Sequence, residues 1–282
     1  MKKNNYVEEV KDYFKDKAAE YDLVENQIYW VLSDKLLWDI WDKMSLSKIK
    51  NPINFLDAGG GTGRWSIKLL EAYKDSKGTI IDLSQPMLNE AKKKSENMHL
   101  SNRLTLVNDN LDSCTINEKY NMIFSFHNVL GFVNDAEKVL KKLADSLTDG
   151  GYLVCVVPNY FHGIFFNVFV GDLELADNCL HSSKGKFTRN MPEMRFFRPK
   201  ELEEIYKNLG LKIEGLYGFP VSIYPGMQET QLRGQSENLS DLLSSKNNFD
   251  KIYNLEKHLS LSAEAAARGN NLIIIGKKEE IK

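Results

Sequence analysis

The chain has 282 residues, 42% of them hydrophobic, enough to bury a sizeable core in one elaborated α/β domain or two small ones. Its 37 basic and 39 acidic residues leave a formal charge of −2, which argues against a protein that works by neutralising nucleic-acid phosphates. Three scattered cysteines, Cys114, Cys155 and Cys179, form no C-x-x-C pair, so no disulfide framework, metal site or iron–sulfur cluster is expected.

The N-terminal Met1-Lys2-Lys3-Asn4-Asn5 has no apolar leader core, and no run of about 18 apolar residues follows. The chain therefore reads as cytoplasmic, without a membrane partner. Residues 6–44 read as helical. Val7, Val10, Phe14, Ala18 and Tyr21 recur near helical spacing, and a second segment from about Gln27 to Met44 carries Tyr29, Trp30, Trp38 and Trp41. Aromatics on a helix face are expected to pack in a core more often than to touch a ligand. Five short apolar runs come next: Ile53–Leu56, Thr79–Leu83, Leu104–Val107, Met122–Phe126 and Tyr152–Val157. Between them lie helical stretches at Ser66–Tyr73, Pro86–Ser95 and Asp135–Leu147, the last stopped by Asp149-Gly150-Gly151. Strand–helix alternation predicts a mainly parallel sheet with helices on both faces. Residues 159–197 break the alternation and are rich in aromatics. A helix from Pro199, a strand at Leu211–Tyr217, a polar helix-prone stretch over 226–268 and a last strand at Asn271–Ile275 complete the chain.

The first strand ends in Leu56-Asp57-Ala58-Gly59-Gly60-Gly61-Thr62-Gly63 and turns into a helix. Glycines allow positive φ and close approach of backbone to a ligand, and ligands bind at the carboxyl ends of parallel strands. A dinucleotide G-x-G-x-x-G turn would place its third glycine at position 64, which is Arg64. Asp57 beside the turn suits a cationic ligand better than a pyrophosphate.

Over roughly residues 50–160 the sequence resembles the class I S-adenosylmethionine-dependent methyltransferases. The resemblance implies a Rossmann-like, seven-stranded, mainly parallel sheet with its last strand antiparallel, plus helical N-terminal and lid elements. It divides the chain into an N-terminal helical cap (1–50), a cofactor-binding core (51–158), an acceptor-side lid (159–198) and the C-terminal part of the core (199–282), with a helical insertion at 226–268. The cofactor implied is S-adenosylmethionine, with S-adenosylhomocysteine as product. Asp57, Gly59, Gly60, Gly61 and Gly63 match the family's glycine turn, and Asp82, 25 residues after Asp57, matches the carboxylate that holds the ribose hydroxyls. Leu83 and Met87 fall where residues pack near adenine. Asp109, with Asn110 beside it, falls where an acidic residue accepts from the adenine amino group. Phe126 lies in the segment that passes under the cofactor.

Methyl transfer from a sulfonium is an in-line displacement, so the protein's main task is alignment, and a base is needed only for an acceptor that must lose a proton. His127, just after the fourth strand, is the candidate base, against the simpler reading of a histidine that packs beside the cofactor. Tyr21 and Trp30 of the N-terminal helices and His162 and Arg195 of the 159–198 segment are candidate acceptor contacts. Arg195, with Arg189 and Arg198, could clamp a carboxylate or simply be solvated surface charge. The expected function is methyl transfer to an oxygen or nitrogen of a small organic molecule or modified peptide, without a nucleic-acid partner. Transfer to the C-terminal carboxylate of a peptide natural product, a non-catalytic cofactor-binding scaffold and a nicotinamide oxidoreductase are the alternatives, the last opposed by Arg64. No oligomeric state follows from the sequence.

Overall fold

In the computed structural model of the protein, residues 2–50, 52–223 and 235–280 are described. The chain opens with α1 (Lys2–Lys17), a 3-10 turn (Tyr21–Asn26) and α2 (Ile28–Met44). The alternating region follows as β1 (Asn54–Ala58), α3 (Arg64–Ala72), β2 (Lys77–Asp82), α4 (Gln85–Asn97), β3 (Leu104–Asn108) and β4 (Tyr120–Ser125). Next come α5 (Val129–Phe132), α6 (Ala136–Asp145) and β5 (Leu147–Pro158). Two helices, α7 (Tyr160–Phe169) and α8 (Leu173–Ser182), and a short ribbon of β6 (Lys184–Gly185) with β7 (Met194–Arg195) precede α9 (Pro199–Asn208) and β8 (Leu211–Phe219). The chain closes with α10 (Gln235–Ser244), α11 (Lys246–Leu259), a 3-10 turn (Ala263–Arg268) and β9 (Asn271–Lys278).

The seven-stranded sheet runs in the order β3-β2-β1-β4-β5-β9-β8. Its first five strands are parallel, and β9 enters antiparallel to both β5 and β8. Successive side chains of a strand point to opposite faces, so near-continuous apolar runs feed two cores at once. Phe55, Phe124, Val154 and Ile273 pack on the face covered by α2, α3 and α4. Leu56, Ile123, Cys155 and Ile274 pack on the face covered by α6 and α9. The strand order reverses between β1, which neighbours β2, and β4, whose other neighbour is β5. A cleft at the carboxyl ends of these strands is the expected binding place for a sheet of this kind.

The structure corrects the expected stop of the third core helix. α6 ends at Asp145, and Leu147 already pairs with Tyr120, because an apolar residue there is buried against the sheet. Gly150, at φ 74°, instead forms a bulge in which the register slips before Tyr152 pairs with Met122. The aromatic excursion packs on itself. Tyr160, Cys179, Met191, Met194 and Phe196 form a small core of their own. Of the expected helical insertion at 226–268, residues 226–234 lie outside the described residues. The rest packs on the N-terminal cap: Tyr253 hydrogen-bonds Asp39 of α2, and Lys257 pairs with the same carboxylate at 3.0 Å. Buried Glu256 accepts from the Val221 and Ser222 N–H groups at 2.7 and 2.6 Å, tying α11 to the end of β8. Among the described residues no helix is long and apolar enough to cross a membrane.

Candidate cofactor and acceptor site

The glycine turn bends over the end of β1. Gly59 and Gly63 take positive φ, 79° and 73°, and a Cβ at Gly59 would lie 2.4 Å from the Val129 side chain. A Cβ at Gly60 would fall on the Asp57 carboxylate at 2.5 Å. Gly61, at φ 50°, has open space where a Cβ would stand, bounded by Asp82 Oδ2 at 3.9 Å. The absence of side chains there keeps a cradle open between the turn and the end of β2. Gly63 has a different task. Its Cα faces Ile80 and Ala91 at close range, which lets α3 start against the sheet.

Two carboxylates set the electrostatics of the cradle. Asp57 is buried and accepts from Ser66 Oγ at 2.7 Å. Burial lifts its carboxyl to about 7, opposed by the Ser66 hydrogen bond and reinforced by the nearby Asp82 charge. Asp82 accepts from the Gly61 N–H at 2.9 Å and the Ser84 N–H at 2.8 Å. Burial still lifts it to about 6, because two N–H donors offset the loss of water only in part. Both groups retain acceptor capacity.

The surrounding cleft holds about 1010 Å³ of empty space. Its wall includes Asp57, Gly59, Gly60, Gly61, Asp82, Leu83, Met87, Asn110, Phe126 and His127, so these sequence candidates converge. Asp109 does not join them. It is exposed, its carboxylate accepts from the Asn110 N–H at 2.7 Å, and Asn110 and Asp112 stand on the wall instead. An Asp at a turn readily closes on its own backbone in this way. Val7, Val10, Lys11 and Phe14 of α1 cover the cleft, a contribution that helical periodicity alone could not distinguish from core packing.

A second, larger cavity of about 1720 Å³ adjoins the first. The two share Phe14, Tyr21, Arg64, His127 and Phe132. Trp30, His162, Phe187 and Met191 are further walls of the second. Burial holds the His162 imidazole down at about 3, with its Asn270 hydrogen bond acting in the opposite direction. Arg195 lies away from both cavities. It is held by Glu201 at 2.5 Å and Glu137 at 3.2 Å and stacks on the Phe197 ring, so the carboxylate clamp expected of it is replaced by an ion-pair cluster around α9. Arg189 pairs with Asp172 at 2.8 Å, and Arg198 bonds Ser183 Oγ at 2.8 Å and lies over the Tyr160 ring.

His127 marks the junction of the two cavities. It and Asn128 take consecutive left-handed conformations, φ 55° and 69°, in the elbow between β4 and α5. Outliers of this kind concentrate at functional sites. Its Nε2 accepts from Trp65 Nε1 at 2.6 Å. Desolvation, then the nearby Arg64 charge, lower its pKa to about 3, so the ring is neutral at physiological pH. Arg64 itself is buried at the start of α3 and pairs with Glu25 at 2.8 Å and with Asp34. Beside it, Asp22 accepts from Thr62 Oγ1 at 2.7 Å and from Lys94 Nζ at 2.6 Å. These contacts fasten the N-terminal cap to the glycine turn. The carboxylates that make them carry no signal in the sequence that names their partners.

S-adenosylmethionine fits this donor and acceptor set. The Asp82 carboxylate can accept from two vicinal hydroxyls, the glycine cradle has room for an amino-acid moiety, and two carboxylates lining the cleft favour a cationic ligand. Residues 55–151 match the family model described as a methyltransferase domain. The chain is 28% identical over 154 residues to the tRNA 5-carboxymethoxyuridine methyltransferase of Escherichia coli strain K12, covering 54% of this chain and 58% of that one. It is 24% identical over 199 residues to the malonyl-[acyl-carrier protein] O-methyltransferase of Priestia megaterium, covering 70% and 65% respectively. The chain thus spans less than two thirds of the length of either relative. In fold it is similar to an S-adenosylmethionine-dependent methyltransferase structure from Clostridium acetobutylicum, with a TM-score of 0.57 at 14% identity over 95% of this chain and 99% of that one. The family match over residues 55–151, with the sheet order and the carboxylate-lined glycine cradle around it, identifies this part of the chain as a methyltransferase domain of the class I S-adenosylmethionine-dependent kind.

Proposed function

We propose that the protein transfers a methyl group from S-adenosylmethionine to an oxygen or nitrogen of a small organic molecule or modified peptide bound in the second cavity. The observation that carries this reading is the meeting of two cavities at His127: a carboxylate-lined glycine cradle on one side and an aromatic-walled chamber on the other. The cofactor supplies an electrophilic methyl group on a sulfonium. Asp82 and the backbone of the glycine turn hold the ribose and amino-acid ends, and Leu83 and Met87 give an apolar bed for the adenine. Asn110, on the cleft wall, takes the polar role that the resemblance assigns to Asp109. Phe14 and Tyr21 from the cap and Phe132 from α5 line both cavities, so an acceptor in the second lies against the cofactor cleft at these residues.

Tyr21, Trp30 and His162 are the acceptor contacts of this reading. Aromatic walls with few charges suit an organic acceptor better than a polyanion. The segments 1–50 and 159–198 act as cap and lid, because both contribute walls to the second cavity while the sheet supplies the floor. Calorimetric titration with S-adenosylmethionine and, separately, with NAD tests the proposal. Binding of the first alone, followed by transfer of labelled methyl to an acceptor in a cell extract, is the expected result. NAD binding without S-adenosylmethionine binding would sink it, and cofactor binding without any methylated acceptor would favour a scaffold.

A further inference from the structure

The side chain at the cavity junction has a defined protonation pattern. An indole N–H is a donor only, so the 2.6 Å contact from Trp65 Nε1 requires a lone pair on His127 Nε2. A neutral imidazole that accepts at Nε2 carries its proton on Nδ1. That Nδ1–H has no acceptor among the described residues, and it is not one of the polar atoms sealed from solvent. The neighbouring wall is aromatic. Trp30 meets the His127 ring edge-on at 6.4 Å between centroids, and its Nε1–H is shielded from water without an acceptor among the described residues. A group shielded in this way is out of a ligand's reach, whereas the His127 Nδ1–H is not, and a reachable donor without an acceptor favours a ligand that brings an acceptor oxygen.

We propose that Trp65 positions His127 as a fixed hydrogen-bond donor rather than a general base, and that the His127 Nδ1–H at the junction selects an acceptor that arrives as an oxyanion, such as a carboxylate. This rests on the methyltransferase reading and narrows its substrate class. A base is unnecessary for such an acceptor. A carboxylate oxygen forms the new bond to the methyl carbon while the carbon–sulfur bond breaks and its electron pair stays on sulfur. The negative charge of the acceptor and the positive charge of the sulfonium are both discharged, the product is an ester, and no proton moves. His127 could not accept one readily, since Nε2 is occupied by Trp65 and Nδ1 is already protonated.

The test uses the full-length protein saturated with S-adenosylhomocysteine. A two-bond proton–nitrogen spectrum of the histidine side chains, with the His127 signal assigned from its loss in His127→Asn, is expected to show His127 protonated at Nδ1. In Trp65→Phe, which keeps an aromatic ring and removes the donor, the pattern should move toward Nε2–H. Benzoate is expected to bind at least about tenfold more tightly than benzyl alcohol, the size expected of one charge-assisted hydrogen bond. That preference should survive in His127→Asn, whose amide N–H stands near the place of Nδ1 and whose backbone tolerates positive φ, and disappear in His127→Phe. Protonation at Nε2 in the wild type would overturn the proposal without any variant having to fold. So would equal binding of the two probes, or no binding of benzoate. Failure of S-adenosylhomocysteine to bind at the outset would instead overturn the methyltransferase reading.

Discussion

Asp57 and Asp82 show how one residue type acquires a task from its place. In the unfolded chain both titrate near pH 4, as ordinary carboxyls do. In the fold, burial lifts them to about 7 and about 6. The sign follows from the raised values. Each carboxyl holds its proton more tightly when folded, so its contribution to stability is present below about pH 4 and is lost as the pH rises through about 6 to 7. A ligand that supplies hydroxyl donors or positive charge favours the ionised forms. S-adenosylmethionine binding near pH 6.5 is therefore expected to release protons and to strengthen as the pH rises through this window. Calorimetry in two buffers of different ionisation enthalpy measures the release, and proton uptake would contradict the assignment. Replacement of Asp82 by Ala should weaken cofactor affinity by about 1–3 kcal/mol, the range for a lost charge-assisted hydrogen bond. The Asn variant, which keeps an acceptor for the Gly61 N–H, should lose less.

At the scale of elements, the glycine turn depends on backbone shape as much as on its chemistry. At Gly59 a methyl group would meet Val129 of α5 at 2.4 Å on a backbone with φ 79°. Gly59→Ala should therefore cost roughly 1–3 kcal/mol in denaturant unfolding, the range for strained left-handed residues, and should displace α5 along with the cofactor wall. The contact between cap and turn belongs to the same scale. Asp22 bridges Thr62 of the turn and Lys94 of α4, while Glu25 and Asp34 hold Arg64. Asp22→Ala should loosen the 3-10 turn at Tyr21–Asn26. Limited proteolysis would show this as several-fold faster cleavage near residues 18–27, with part of the protection restored by S-adenosylhomocysteine, because ligand binding favours the closed form. Unchanged cleavage would mean that Arg64 alone holds the cap.

Across the whole molecule, the sheet serves as a floor and the additions to it make the walls. The cap, the 159–198 segment and the elbow after β4 all contribute to the second cavity, while α11 braces the cap from behind through Asp39. The brace has its own anchor in Glu256, buried and surrounded by the N–H groups of Val221 and Ser222 and the Ser222 hydroxyl. Glu256→Ala would strand those donors out of water. A loss of about 3 kcal/mol or more in unfolding free energy is expected, from several unmade hydrogen bonds at once. A change below 1 kcal/mol, within the ordinary range of surface substitutions, would show that the brace is dispensable.

The sequence by itself determined the parts of this protein that depend on local periodicity and local backbone needs. Alternating apolar runs and amphipathic stretches implied a parallel sheet between helices, since a strand such as Phe55-Leu56 feeds both cores. The glycine turn after Asp57 pointed to a ligand at the end of the first strand, and the resemblance it carries, with Asp82 at the end of the second, named the cofactor. Side-chain partners across long separations were decided only by the tertiary structure. Arg195 and Asp109 have suitable chemistry, yet Glu201, Glu137 and the Asn110 backbone engage them first. Trp65 carries no role in the sequence reading, and only the packing of α3 against the β4–α5 elbow brings its N–H to His127. A hydrogen bond between residues 62 positions apart carries no periodic signature, and here it decides whether the central imidazole can serve as a base or as a donor.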